Sequence, residues 1–286
     1  MSAGSATLLM SCPDQKGLVA AVTQFIFQHG GNILHLDQHV DAEAGVFFMR
    51  VEWDMAAFGL TRDEVAQAFG LNVGKRFNMD WTLRFSDQVP RMALFVSKQS
   101  HCLYDILGRW QSGDWNIEIP LIVSNHNALK PVADSFGIPF FAFEINAGNK
   151  AEQEQAQIAL VKEHRADFVV LARYMQILTG RFISEFPNRI INIHHSFLPA
   201  FAGAKPYHAA YARGVKLIGA TSHYVTEDLD AGPIIAQDVL QVNHKDSVID
   251  LVRKGQDVEK LVLAQAIWDH LNNRVLVYNN KTVVFS

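Results

Sequence analysis

"RIINIHHSFLPAF", residues 189–201, is an apolar run that ends in polar groups. Ile190 and Ile191 are β-branched and read as a strand entering a core. Asn192, His194 and His195 close the run, and Pro199 takes the chain out of the sheet. Burying an amide and two imidazoles without partners is costly. They are therefore either satisfied structural groups or groups that face a cleft, and this stretch alone leaves both readings open. Spaced two apart, Asn192 and His194 share one face of an extended chain.

The flanking sequence supplies the context. Short apolar runs at 92–97, 118–125, 139–143, 167–172, 190–194 and 219–225 read as strands. Helical patterns at 102–110, 130–137 and 151–164 separate them, and 246–271 has helical apolar spacing suited to packing. Such alternation predicts parallel strands in a doubly wound sheet, whose ligands bind at the carboxyl ends of the strands. The N-terminal part has a different pattern. Residues 6–12 read as a strand and 14–17 as a polar turn. A helix runs from Leu18 to the Gly30-Gly31 stop, followed by strands at 32–41 and 45–53. A second helix spans 61–74, with Thr61 as N-cap and Glu64 closing a capping box, and a strand follows at 81–85. The order βαββαβ is a ferredoxin-like split unit. The expected architecture is thus α/β, with a ferredoxin-like domain over 1–85, a polar, proline-containing linker over 86–91 and a mostly parallel-sheet domain over 92–286.

Composition excludes several classes. The chain has 286 residues, 49% of them hydrophobic, and a net charge of −4. No Lys/Arg block recommends nucleic acid as a partner. The longest apolar runs fall well short of the roughly 18 residues of a membrane span, and the N-terminus lacks the pattern of a signal peptide. Cys12 and Cys102 cannot make a disulfide framework. A protein of the reducing cytoplasm is expected.

A carboxylate would make the Asn192/His194 pair chemically useful. "GATSHYVTEDLDAGPII" supplies Asp230 in the tight-turn sequence Asp230-Ala231-Gly232-Pro233. An amide can donate to a carbonyl oxygen that turns negative, an imidazole can carry protons, and a carboxylate can hold an imidazolium. The set suits acyl transfer. His195, His208 and His223 suggest a metal beside His194, but no HExxH or paired CxxC spacing supports one, so no metal is expected. Cys102, next to His101 at a helix start, is expected to be buried and inert rather than nucleophilic. Lys98 is a lone cation.

These motifs also carry a resemblance. Asn192-Ile193-His194-x-Ser196-x-Leu198-Pro199, then His223-x-Val225 and Asp230-x-Gly232-Pro233, resembles the formyltransferase fold family that uses 10-formyltetrahydrofolate. The resemblance covers roughly Arg91 to the C-terminus and implies catalytic roles for Asn192, His194 and Asp230. "ARYMQIL", residues 172–178, is similar to the family segment beside the folate pterin. Folate contacts are implied for Arg173, Tyr174, Met175, Gln176 and Leu178, and for Val225, Thr226, Glu227 and Leu229 in the second loop. The glycine-rich phosphate loop of the family's glycinamide ribonucleotide transformylases has no counterpart in the glycine-free stretch 97–103. "SKQSHCL", "SNH" at 124–126 and "HHSFLPAF" look instead like formyltetrahydrofolate deformylases, which use water as the formyl acceptor. That likeness implies a cytoplasmic hydrolase that needs no cofactor, with 10-formyltetrahydrofolate as substrate. It would supply formate for purine synthesis and balance one-carbon folate pools. A folate-dependent transferase to an amine, or a catalytically silent amino-acid sensor, are the alternatives. "DQKGLVAAVTQFIFQHGGNI" resembles an ACT domain, which implies an amino-acid effector near Asp14, Gly17, Gly31 and Asn32 and a homodimer or homotetramer. Turn and packing demands account for the same glycines.

Overall fold

The computed structural model describes residues 4–200 and 206–286. The chain divides into two compact units. One takes in residues through Val89 together with Asn272–Leu276 and Val283–Ser286; the other takes in Pro90–Leu271 and Val277–Thr282.

The first unit follows the order expected from sequence: β1 (Ser5–Pro13), α1 (Leu18–Gln28), β2 (Asn32–Asp41), β3 (Val46–Asp54), α2 (Arg62–Phe69) and β4 (Asp80–Phe85). The strands pair antiparallel in the order β2-β3-β1-β4. Leu18, Val22, Phe25 and Ile26 are the buried stripe of α1, at the spacing that puts one helix face against a sheet. They pack with Leu8, Met10, Met49, Val51 and Trp53. Glu64 Oε2 accepts the Thr61 backbone N–H at 2.8 Å, so the expected cap is present. The second helix does not run to residue 74. It ends at Phe69 and widens into a π turn over Gly70–Gly74. The Trp81 indole sits where a side chain on Gly74 would be, with Nε1 2.8 Å from an ideal Cβ.

Three details depart from a simple division at residue 92. β5 begins at Arg91 rather than after it. Arg50, buried in β3, donates from Nη2 to Glu52 Oε2 at 2.9 Å, from Nε to Asn273 O at 3.1 Å and from Nη2 to Asn272 O at 3.2 Å. Phe285 N donates to Arg274 O. Residues far along the chain thus close the first unit.

In the second unit come β5 (Arg91–Val96), α3 (His101–Ser112), β6 (Glu118–Ser124), α4 (Lys130–Ser135), β7 (Phe140–Ala142), α5 (Lys150–Glu163), β8 (Phe168–Ala172), α6 (Gly180–Glu185), β9 (Ile190–His194), α7 (Pro206–Arg213), β10 (Leu217–Tyr224), β11 (Ile234–Gln241) and α8 (Val248–Leu271). A hairpin, β12 (Val275–Tyr278) with β13 (Lys281–Val284), ends the chain. The sheet order is β11-β10-β9-β8-β5-β6-β7. β10 is antiparallel to both its neighbours, and the other six strands run one way. The sheet is therefore mostly parallel, as expected, with one reversed strand that alternation did not reveal. Edge strand β11 was not anticipated either: most of its residues are exposed, which blurs the period-two signal. No helix among the described residues is long and apolar enough to cross a membrane.

Arg50→Ala strips a buried cation from Glu52 and two backbone carbonyls. We expect a loss of about 3 kcal/mol in the transition that reports the first unit, measured by urea unfolding followed through Trp53 fluorescence. An unchanged midpoint would show that the C-terminal tie contributes nothing.

Candidate active site

Ile190 and Ile191 are fully buried and fix β9 in the sheet, and the chain then presents Asn192 and His194 from one face. The reversed β10 sets His223 opposite Asn192 and Thr221 opposite His194. His223 Nδ1 lies 2.9 Å from Tyr224 O, an acceptor only, so Nδ1 carries the proton and donates. Its Nε2 then accepts from Asn192 Nδ2 at 3.2 Å. Burial holds the His223 imidazole below its usual pKa, in keeping with this neutral form. The amide of Asn192 is thereby oriented, with one N–H engaged and one to spare.

Asp230 reaches the same face from the loop after β10. Tyr224 N donates to Pro233 O at 2.9 Å, closing the loop back on the strand. An added Cβ on Gly232 would lie 1.8 Å from Tyr224 O, so only glycine fits this close approach. Asp230 adopts a left-handed φ of 53°, and its Oδ2 lies 3.1 Å from His194 Nδ1. Its Oδ1 is 3.8 Å from His223 Nε2. The hydrogen bond from His194 outweighs desolvation and holds the Asp230 carboxyl below the usual carboxylate range. His194 Nε2 is buried and has no protein partner among the described residues. With Nδ1–H donated to Asp230, Nε2 keeps its lone pair. The arrangement is a base with an oriented tautomer beside a spare amide donor.

The two segments implicated in folate binding lie together. An ideal Cβ on Gly180, just past 173–178, would fall 2.6 Å from Glu227 Oε1 in the 225–230 loop. Met175 and Leu229 are exposed apolar side chains, and so are Ile177 and Phe197, which sequence reading did not single out. Gln176, Val225 and Thr226 are half-buried and Glu227 is exposed. Tyr174 and Leu178 point the other way, into the core. Tyr174 meets Phe95 edge-on at 5.2 Å and accepts from Gln157 Nε2 at 2.9 Å, and burial pushes its hydroxyl up to about 12. Backbone, not these two side chains, is what they offer a ligand.

Arg173 takes a third direction. Its φ of 62° breaks the strand alternation, and its Nε lies 3.6 Å from Glu259 Oε2 on α8. Glu259 also accepts from His101 Nε2 at 2.8 Å and from the Tyr207 hydroxyl at 2.6 Å. Sequence reading missed Glu259 because it sits inside a long helical pattern among ordinary charged residues. His195 connects this network to the site: its ring is 5.1 Å from that of His194 and 6.0 Å from that of Tyr207. His208 and Lys98 are exposed. Cys102 is buried, and burial drives its thiol pKa far up, so it is no nucleophile at neutral pH. His101, Cys102 and Glu259 do offer ligand atoms within 4.8 Å of one another. Glu259 is already engaged by the Arg173 cation and by hydrogen bonds from His101 and Tyr207.

In the first unit, Asp14, Gly17 and Asn32 are exposed and Gly31 is half-buried. Gly17 has φ 92° at the start of α1. A Cβ on Gly31 would press on Ile26 at 2.6 Å and on Phe58 at 2.9 Å, so packing alone requires this glycine.

Burial by itself would raise the Glu259 carboxyl, but His101, Arg173 and Tyr207 together hold it below the ordinary range. A lowered folded pKa stabilises the fold above the unfolded glutamate value of about 4.3. That contribution is lost as pH falls through the folded value. Glu259→Gln should therefore cost about 3 kcal/mol at pH 7 and progressively less below pH 4, as followed by denaturant midpoints across pH. A pH-independent deficit would mean that the charge is immaterial.

Comparison with known proteins shows the family. Residues 90–267 match the Formyl transferase family and residues 6–52 match the ACT domain. A formyltetrahydrofolate deformylase of Synechocystis sp. is 57% identical over 99% of both chains. The crystal structure of a formyltetrahydrofolate deformylase from Pseudomonas syringae pv. tomato superposes with a TM-score of 0.96 at 47% identity, covering 99% of this chain and 95% of the other. Glycinamide ribonucleotide transformylase 1 from Symbiobacterium toebii gives a TM-score of 0.66 at 28% identity, over 72% of this chain and 98% of its own. A catalytic half shared with transformylases, joined to an ACT unit and matched end to end by deformylases, places this chain in the formyltetrahydrofolate deformylase family.

Proposed function

We propose that the chain hydrolyses 10-formyltetrahydrofolate to formate and tetrahydrofolate. The observation that carries this is the buried His194, paired through Nδ1 to Asp230 with Nε2 left without a partner. Nε2 takes a proton from water as the oxygen attacks the formyl carbon. Asn192 donates its spare N–H to the formyl oxygen as that oxygen turns negative. The C–N bond breaks, the departing folate nitrogen takes the proton from Nε2, and formic acid leaves as formate plus a proton. Asp230 stabilises His194 while it is an imidazolium. The substrate pterin rests against the backbone of Arg173, Tyr174, Met175, Gln176 and Leu178 and against Val225, Thr226, Glu227 and Leu229, with exposed Met175 and Leu229 as apolar contacts. No step requires a cofactor or metal.

The division of labour follows the same reading. Residues 92–286 are the catalytic part, 86–91 the connection and 1–85 an ACT part. The ACT part binds an amino acid near Asp14, Gly17, Gly31 and Asn32 and joins copies into a dimer or tetramer. The enzyme works in the cytoplasm, where its formate feeds purine synthesis and its turnover balances folate pools. A formyl transfer to an amine is the second reading, favoured by the transformylase likeness. The full-length agreement with deformylases favours water.

Formate release from 10-formyltetrahydrofolate, in buffer free of amines and after exhaustive chelation, should proceed over many turnovers. Turnover that requires an added amine would make the chain a transferase. Asn192→Ala should lower kcat by about 10²–10³-fold and Asp230→Asn by about 10²–10⁴-fold, with thermal melts near wild type. Wild-type rates in either variant would remove that residue from the mechanism.

A further inference from the structure

Seven buried side-chain atoms lack a protein partner among the described residues. Five of them belong to residues at or beyond the carboxyl ends of neighbouring parallel strands: His101 Nδ1 after β5, Asn125 Oδ1 after β6, Arg173 Nε and Nη1 after β8, and His194 Nε2 at the end of β9. Native interiors satisfy nearly all such atoms, so a cluster of exceptions marks a place where a ligand completes them. His194 is accounted for by the reaction. The guanidinium of Arg173 is not.

The register brings Arg173 close to the chemistry. In the parallel pairing of β8 with β9, Leu171 lies opposite Asn192, so the chain at Arg173 is level with His194. Adjacent strands are about 4.8 Å apart. On the opposite side β5 pairs Val96 with Ala172, and β6 pairs Ser124 with Val96, which brings Asn125 to the next exit but one. The guanidinium cannot drift, because Glu259 holds it at 3.6 Å and is itself held by His101 and Tyr207. Its side chain is only 12% exposed. What remains is a planar cation whose Nη1 has no protein partner and whose Nε meets only that long ion pair, in a largely buried position where a carboxylate suits its fork.

This inference rests on the hydrolytic reading above. Hydrolysis generates a small planar carboxylate within a few ångströms of the Asp230 carboxylate, which repels it. We propose that Arg173, positioned by Glu259, forms a subsite that receives the formate product. The segment 173–178 then has two roles: its backbone faces the folate while the Arg173 side chain collects the second product.

The test is product inhibition on the full chain, with direct binding as a second reading. Added formate should inhibit the wild type, and [¹³C]formate should show saturable line broadening with it. In Arg173→Gln the formate inhibition constant should rise at least tenfold, while that for tetrahydrofolate changes less than twofold. Arg173→Lys should fall between, since it keeps the charge but not the fork, and serves if Arg173→Gln does not fold. Equal loss of both products' inhibition would make Arg173 a general structural support and overturn the subsite. So would wild-type formate binding in Arg173→Gln, no formate binding in the wild type, or equal affinity for acetate and chloride. A wild type that releases no formate in the amine-free assay would sink the hydrolytic reading instead, which is a separate outcome.

Discussion

The site depends on a close approach of two backbones. Asp230 meets His194 because the chain that leaves β10 turns back at Gly232 with no room for a single carbon against Tyr224 O. That return is anchored by the hydrogen bond from Tyr224 N to Pro233 O. The reversal of β10 has a second effect, because it faces His223 toward Asn192. One reversed strand and one glycine thus bring Asn192, His194 and Asp230 together from two segments. Neither device contributes chemistry of its own.

The way the proton positions are fixed follows from this packing. Tyr224 O can only accept, so it dictates where His223 carries its proton. His223 in turn dictates which way the Asn192 amide points. Asp230 does the same for His194. Each choice between tautomers or amide orientations is made by a neighbour with a single option, so the donor and the lone pair needed for acyl chemistry exist before any substrate arrives. Such prearrangement is the main source of electrostatic catalysis.

Much of this was legible in the sequence. Most strands of both sheets follow from the period of the apolar runs, and Asn192, His194 and Asp230, singled out by a polar strand end and a tight turn, lie together in the fold. Three things were not legible, each for a physical reason. The direction of β10 is invisible because a strand buried on both faces reads the same either way. Edge strand β11 is too exposed to show a clean period. Glu259 and the course of the Arg173 side chain depend on a left-handed φ and on an ion pair between residues far apart in the chain, which no local pattern encodes. Tyr174 and Leu178 show the opposite limit: the resemblance marks their segment for folate, and the core takes their side chains.

The grip of Arg50 on the carbonyls of Asn272 and Asn273 makes the N-terminal unit discontinuous in sequence. A fragment ending at Val89 would leave behind hydrogen-bond acceptors supplied from the far end of the chain. Removal of the residues after Leu271 would damage that unit as well as the one that precedes them in sequence, which takes in Val277–Thr282. On a ribosome, the first unit to emerge is therefore the last to be completed.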